Sequence, residues 1–223
     1  MTSTRRATLD ILSTDPAKER LMAELDEWKS HCKSLSVEQV GRLLGQWYHP
    51  LHYFPEFLSR LIAASPSLET QSSISKILWQ ELGEGDPTLA HETIYIDTMR
   101  DAGFPRETVA ASPPLTDTVR LVEGYKKSTS DCIYGLGFLY GTEVVDLAMV
   151  SAMGRLIRGC TDRRELPWVD IHVKQEPEHV ESSSRPLLPP FSEQQQERIV
   201  GGAQELWDLW TTFFKGAKEA FLS

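Results

Sequence analysis

Disulfides, basic clusters, β-patterning and an apolar signal core are all missing from this chain of 223 residues, and each gap removes a class of protein. The three cysteines, Cys32, Cys132 and Cys160, are odd in number, scattered and without a CxxC pair. They read as reduced thiols packed as small hydrophobes, not as a disulfide framework. Lys and Arg number 23 against 32 Asp and Glu, a formal charge of -9. With no basic run, nucleic acid and anionic membrane surfaces are not expected partners, because counterion release needs clustered cations. No apolar run approaches the roughly 20 residues that cross a bilayer, and Arg5, Arg6 and Asp10 stand where a signal sequence carries its apolar core. The expectation is a soluble, cytoplasmic protein that acts on a small molecule. Gly83-Glu84-Gly85 follows a helical pattern and lacks the further glycine and the Lys-Ser/Thr that would cradle phosphates.

What is present is helical periodicity. A chain of this length with 40% hydrophobic residues fills one core. Residues 1–14, polar and weakly patterned, are expected to be a mobile N-terminal segment, and 15–223 a single all-α domain of seven or eight helices. Asp15-Pro16 reads as N-cap and first helical residue, and Ser36 opens a second helix that His49-Pro50 should interrupt. A helix from Leu68 to Leu82 stops at Gly83, and His91 opens the next. The most apolar stretch, Cys132 to Ile157, suggests a central helix buried on most sides, where Gly135, Gly137 and Gly141 mark close approach of another element. Pro167 opens a helix that carries Pro177, the segment from Ser182 to Pro190 reads as a flexible connection, and a last helix starts near Ser192. Its Trp207, Trp210, Phe213 and Phe214 repeat at helical spacing and read as core.

Chemistry concentrates in His172-Val173-Lys174-Gln175-Glu176-Pro177-Glu178-His179, which sets two imidazoles and a carboxylate at i, i+4 and i+7 on one helical face. Such donors suit iron, manganese or zinc. With 6 His and 32 acidic residues in the chain, the same string also arises by chance on a solvated face, so the remaining ligands decide. Glu143, with Asp146 one turn on, stands inside the apolar run, where a bare carboxylate needs a partner or a cation. Glu81 ends one helix and His91 begins the next, so the two can face a common point. His49 and His52 read as ordinary imidazoles beside a helix break, whereas Glu56 is kept as a candidate ligand.

Taken in order, Glu81, His91, Glu143 after Leu139-Tyr140-Gly141-Thr142, and His172, Glu176 and His179 resemble the ligand pattern of the haem-oxygenase-like dimetal oxidases and oxygenases. This is the iron-containing redox enzyme group related in fold to TenA-like thiaminases and the pyrroloquinoline-quinone synthase. The resemblance covers residues 35 to 215 and implies a seven-helix bundle without haem. It also implies two Fe(II) held by those six residues as metal ligands and catalytic centre, dioxygen as co-substrate, and an additional ligand near Glu56. The activity implied is oxidation of an amino acid or amine in a biosynthetic pathway, drawing on an external electron source, with a homodimer as the macromolecular assembly to consider. Two departures stand out: Glu176, followed by Pro177, occupies a place where Asp is usual, and Met153 stands where a tyrosine-consuming relative carries lysine. Phe54, Trp79, Tyr95 and Tyr140 are the candidates for an apolar substrate wall. The rival readings are a metal-free TenA-like hydrolase, for which Cys132 would be the nucleophile, and a helical binding protein without metal.

Overall fold

The computed structural model describes residues 7–222, so any expectation for residues 1–6 lies outside the described part. Ten α-helices follow in order: α1 (Thr8–Ser13), α2 (Pro16–Ser30), α3 (Val37–Ala64), α4 (Leu68–Glu81), α5 (His91–Asp101), α6 (Arg106–Ala110), α7 (Thr116–Ser128), α8 (Cys132–Cys160), α9 (Pro167–Ser184) and α10 (Glu193–Leu222). Single 3-10 turns, Pro87–Leu89 and Arg185–Leu187, link two of the pairs. No strand occurs among the described residues, so the all-helical expectation holds.

Helix starts follow local chemistry. Asp15 accepts the amide of Ala17 beside Pro16, Ser36 and Gln39 close a reciprocal capping box, and Asp131 accepts the amides of Ile133 and Tyr134 to open α8. Helix α8 is the axis of the bundle, with α2, α3, α9 and α10 packed around it. A side chain at Gly137 would collide with the carbonyl of Ile199, so glycine at that position lets α10 cross α8 backbone to backbone. By length and composition α8 is apolar enough to cross a membrane, with mean hydropathy 1.3 over its best window, which corrects the reading that no run approaches that length. That window is 72% buried against the protein's own helices, as a core helix is.

Three further expectations are corrected. Helix α3 runs unbroken through Pro50 and Pro55. Proline removes one backbone donor and crowds the carbonyl four residues back, but Trp47, Tyr53, Phe57 and Leu58 are buried on both sides of the prolines and hold the axis together. Helix α1 lies in the segment expected to be mobile, and Leu12 is fully buried where α1 packs on α10. Between 182 and 190 the expected flexible connection is instead the last turn of α9 followed by a 3-10 turn, anchored by buried Ser182, Ser183, Pro186 and Leu187.

Candidate metal centre

Four helices deliver the polar groups of the interior. Glu81 is the last residue of α4, and His91 is the first of α5. Between them Gly83, Glu84 and Gly85 all have positive φ (82°, 57° and 94°), a left-handed run that reverses the chain and points the end of α4 and the start of α5 toward the same place. A side chain at Gly83 would overlap the carbonyl of Asp86, so this turn has room for glycine only. Helix α8 contributes Glu143 and, one turn later, Asp146, while α9 contributes His172, Glu176 and His179 despite the proline at 177.

These side chains meet. Nδ1 of His91 lies 3.1 Å from Oε2 of Glu81, and Nδ1 of His179 lies 3.3 Å from Oε2 of Glu143 and 3.9 Å from Oε1 of Glu81. Nε2 of His172 is 3.7 Å from Oδ2 of Asp146. The His91 ring centre stands 4.7 Å from that of His172 and 6.1 Å from that of His179. Ligand atoms of Glu143, Glu176 and His179 all fall within 4.8 Å of one another. Glu143 is 2% exposed, Glu176 3%, His179 2% and His91 1%. Among the described residues no Lys or Arg pairs with any of these carboxylates; their only ionic neighbours are histidines.

Such a cluster is costly to bury. An unpaired buried carboxylate is disfavoured by several kcal/mol, and the acid–base balance records it. Burial, then the Asp146 and Glu143 carboxylates alongside, push Glu176 far up, and burial likewise raises Glu143. Burial works against ionised Glu81 as well, but the charge and proximity of His91 overcome it and hold Glu81 at about 2. The same contest runs in reverse on His179, where burial opposes the cation and Glu143 prevails, setting it at about 9. His172, with burial and then His91 acting against its charged form, falls to about 4.

Six buried atoms here lack any hydrogen-bond partner: Glu143 Oε1, both Glu176 oxygens, Asp146 Oδ2, His91 Nδ1 and His179 Nε2. Buried polar groups in native proteins are nearly always satisfied. Two of the imidazoles have their tautomers fixed by hydrogen bonds. His172 Nδ1 bonds the carbonyl of Trp168 at 2.7 Å and must therefore donate, which leaves the Nε2 lone pair turned to the carboxylates. His91 Nε2 lies 2.8 Å from Oε1 of Gln175, whose own Nε2 reaches Glu84 at 3.4 Å, so His91 donates to Gln175 and presents Nδ1 inward. Orphaned acceptors, pre-set imidazoles and a mixed nitrogen and oxygen donor set all fit a first-row divalent metal such as iron.

Beside the cluster lies a narrow cleft, with about 40 Å³ of open room, walled by Trp47, Leu51, Phe54, Tyr125, Trp168 and Trp210 with Thr142 between them. Of the expected substrate wall, Phe54 is in place. Tyr95 is not: it is fully buried and bonds the carbonyl of Leu44 at 2.6 Å. Trp79 is 56% exposed and covers Gly85, and Tyr140 is buried away from the cleft. Trp210, read as pure core, does both jobs. Glu56 faces outward, salt-bridged to Arg60 one turn on at 2.7 Å, and does not join the cluster. His49 bonds the carbonyl of Ser112 and His52 pairs with Glu92, the ordinary roles foreseen for them. Cys132, where a hydrolase would need its nucleophile, begins α8 eleven residues before Glu143, about 16 Å along the axis, and does not line the cleft. Asp146 joins the cluster through the i, i+3 spacing that sets it on the same face of α8 as Glu143, the one signal of it in the residue order.

Comparison with known proteins agrees with this geometry. Residues 42–211 match the family described as iron-containing redox enzymes. Among solved structures, a CADD-like protein of unknown function from Nostoc punctiforme superposes with a TM-score of 0.78 at 12% identity, covering 97% of this chain and 93% of that one. A domain with a heme oxygenase-like fold from Shewanella denitrificans gives 0.70 at 16% identity, over 96% and 88%. A TenA homologue from Pseudomonas syringae pv. tomato gives 0.71 at 13%, over 95% and 91%. At these identities the likeness establishes the fold. No curated protein sequence matches the chain.

Proposed function

The chain belongs to the iron-containing redox enzyme family, and from that premise we propose that it is a non-haem dimetal oxidase or oxygenase acting on a small substrate. Glu81, His91, Glu143, His172, Glu176 and His179 are its proposed ligands. The observation that carries the reading is the set of unpartnered, inaccessible donor atoms from three carboxylates and two imidazoles converging from three helices with no Lys or Arg to neutralise them. Two ferrous ions bound there supply the redox equivalents and open coordination positions for dioxygen, while the protein contributes orientation and exclusion of water.

What the chain's own groups do follows from their places. The Trp168 carbonyl and Gln175 hold His172 and His91 in the tautomers a metal requires. Three tryptophans and Phe54 keep water from the reacting side of the cluster. In the cleft wall the Tyr125 and Thr142 hydroxyls, 2.9 Å apart, offer a polar contact, and the indole N–H groups of Trp47 and Trp168 are buried without partners. The lining includes no Lys or Arg. An apolar substrate with a neutral acceptor, or an amine set against tryptophan faces, suits such a wall better than an amino acid whose carboxylate would need a counter-ion.

Anaerobic titration with ferrous iron, followed by oxygen exposure in the presence of a panel of amines, amino acids and fatty acids, tests this. The expected result is two irons per chain and oxygen uptake accelerated by the productive substrate alone, both abolished by Glu143→Ala with helical content retained. A wild-type chain that takes up no iron refutes it and returns the metal-free hydrolase to first place.

A further inference from the structure

The metal cluster contains one more acid than the six-residue pattern requires. We propose that Asp146 is a fourth carboxylate ligand, so that the site comprises three imidazoles and four acids; this rests on the dimetal reading above.

Several observations place Asp146 in the site, and in the metal-free protein its close neighbour is another acid of the same cluster, Glu176. It follows Glu143 by one turn of α8 and lines the same cleft. Although 18% of its side chain is accessible, Oδ2 is inaccessible and has no hydrogen-bond partner. That oxygen stands 3.7 Å from Nε2 of His172, whose Nδ1 proton is committed to the Trp168 carbonyl. Two electron-pair acceptors therefore face each other, an arrangement that repels unless something positive stands between them. Glu176 lies alongside at 3% exposure, close enough to share a proton with Asp146 when no metal is bound and with no other partner for its oxygens. No Lys, Arg or backbone N–H bonds Asp146 among the described residues.

Charge points the same way. Two divalent cations with three carboxylates and neutral imidazoles leave one net positive charge in a low-dielectric interior; a fourth carboxylate removes it. Asp146 adds a short acid on the side of α8 turned toward His172 of α9.

The test uses the full chain, with Co(II) as a probe that reports binding through its visible spectrum. Wild type, Asp146→Asn, Asp146→Glu and the exposed control Asp170→Asn are titrated anaerobically, and bound metal is counted after dialysis. Asparagine keeps the size and removes the charge. The expected result is two ions per chain in wild type and Asp170→Asn, at least about a tenfold weaker second ion with an altered spectrum in Asp146→Asn, and partial recovery in Asp146→Glu. Metal-free Asp146→Asn should melt no lower than wild type, which separates loss of a ligand from loss of fold. If Asp146→Asn binds both ions with wild-type affinity and spectrum, Asp146 is not a ligand while the dimetal reading stands. If wild type binds no metal, both fall.

Discussion

The bundle has two polar interiors, and they are built on opposite rules. On the α7, α8 and α10 side the buried polar atoms close on one another: Trp207 Nε1 bonds the Gly141 carbonyl at 2.9 Å, Trp210 Nε1 bonds the Tyr125 hydroxyl at 3.2 Å, that hydroxyl meets Thr142, and Trp28 Nε1 bonds the Phe214 carbonyl. On the α4, α5, α8 and α9 side, less than two turns along α8 from Gly141, six donor atoms are left without partners. The first region needs nothing but the chain to be complete. The second is incomplete by design of its residue types, and the free energy it forgoes in folding is available to whatever binds it.

Breaking each region in turn gives the largest contrast. Trp207→Ala removes a fully buried indole and its hydrogen bond, and should cost about 3–5 kcal/mol of stability, seen as a large fall in melting temperature with or without metal. Glu143→Ala should behave differently. It deletes a buried carboxylate whose ionic neighbour in the metal-free protein is the His179 imidazole and whose burial is itself unfavourable, so the metal-free melting temperature should change little. The gain of about 2.7 kcal/mol expected from divalent metal at a hundredfold excess over Kd should vanish. Equal destabilisation of the two metal-free variants would show that the regions do not differ in the way their bonding suggests.

A smaller effect separates them by pH. His179 has its folded pKa raised from 6.5 to about 9, so its stabilisation is complete below 6.5 and is lost as pH rises through about 9. Glu143 and Glu176, both raised, act in the same direction. His172, lowered to about 4, contributes above 6.5 and loses that contribution as pH falls through about 4; Glu81, at about 2, contributes above 4.5 and loses it only near pH 2. Because Glu143 and Glu176 begin to lose stabilisation above 4.5 and together outweigh the gain from His172, metal-free protein should be most stable near pH 4.5 and weaken toward pH 9. Metal should flatten the alkaline limb, because cations then replace the shared protons. Thermal melts across pH with and without Mn(II) read this directly, and an alkaline limb unchanged by metal would break the link between the cluster and the titration.

How much of this could be read from residue order depends on how local each signal is. Glu143 betrayed itself because a lone acid in the apolar run from Cys132 to Ile157 has no local excuse, and Glu81 and His91 because a glycine turn joins them. Glu56 was a false lead for the opposite reason: Arg60, four residues on, satisfies it on the surface of α3. The two prolines of α3 and the segment after Ser182 were misjudged because local propensity was outweighed by burial against distant helices. The cleft wall was the least legible. Trp47, Trp168 and Trp210 come from three helices and are brought together only by packing, with ring centres 5.2 to 5.8 Å apart.

The finest contrast concerns a residue that belongs to neither region. Gln175 touches no carboxylate of the cluster, yet its Oε1 fixes the proton on His91 Nε2 and its amide reaches Glu84 in the left-handed turn. It thus ties the α4–α5 connection to the orientation of a proposed ligand. Gln175→Leu should leave the metal-free melting temperature within about 0.5 kcal/mol of wild type, as expected of a half-buried position outside the packed core. Metal affinity should nevertheless fall about 10- to 100-fold, since His91 is then free to rotate or to protonate Nδ1. Gln175→Glu, which keeps the acceptor, should restore most of the affinity. Glu84→Gln, which can still accept from Gln175, should change little. Loss of affinity in Gln175→Leu without rescue by Gln175→Glu would mean that the side chain matters for its amide donor and not for the imidazole, and the tautomer argument would have to be given up.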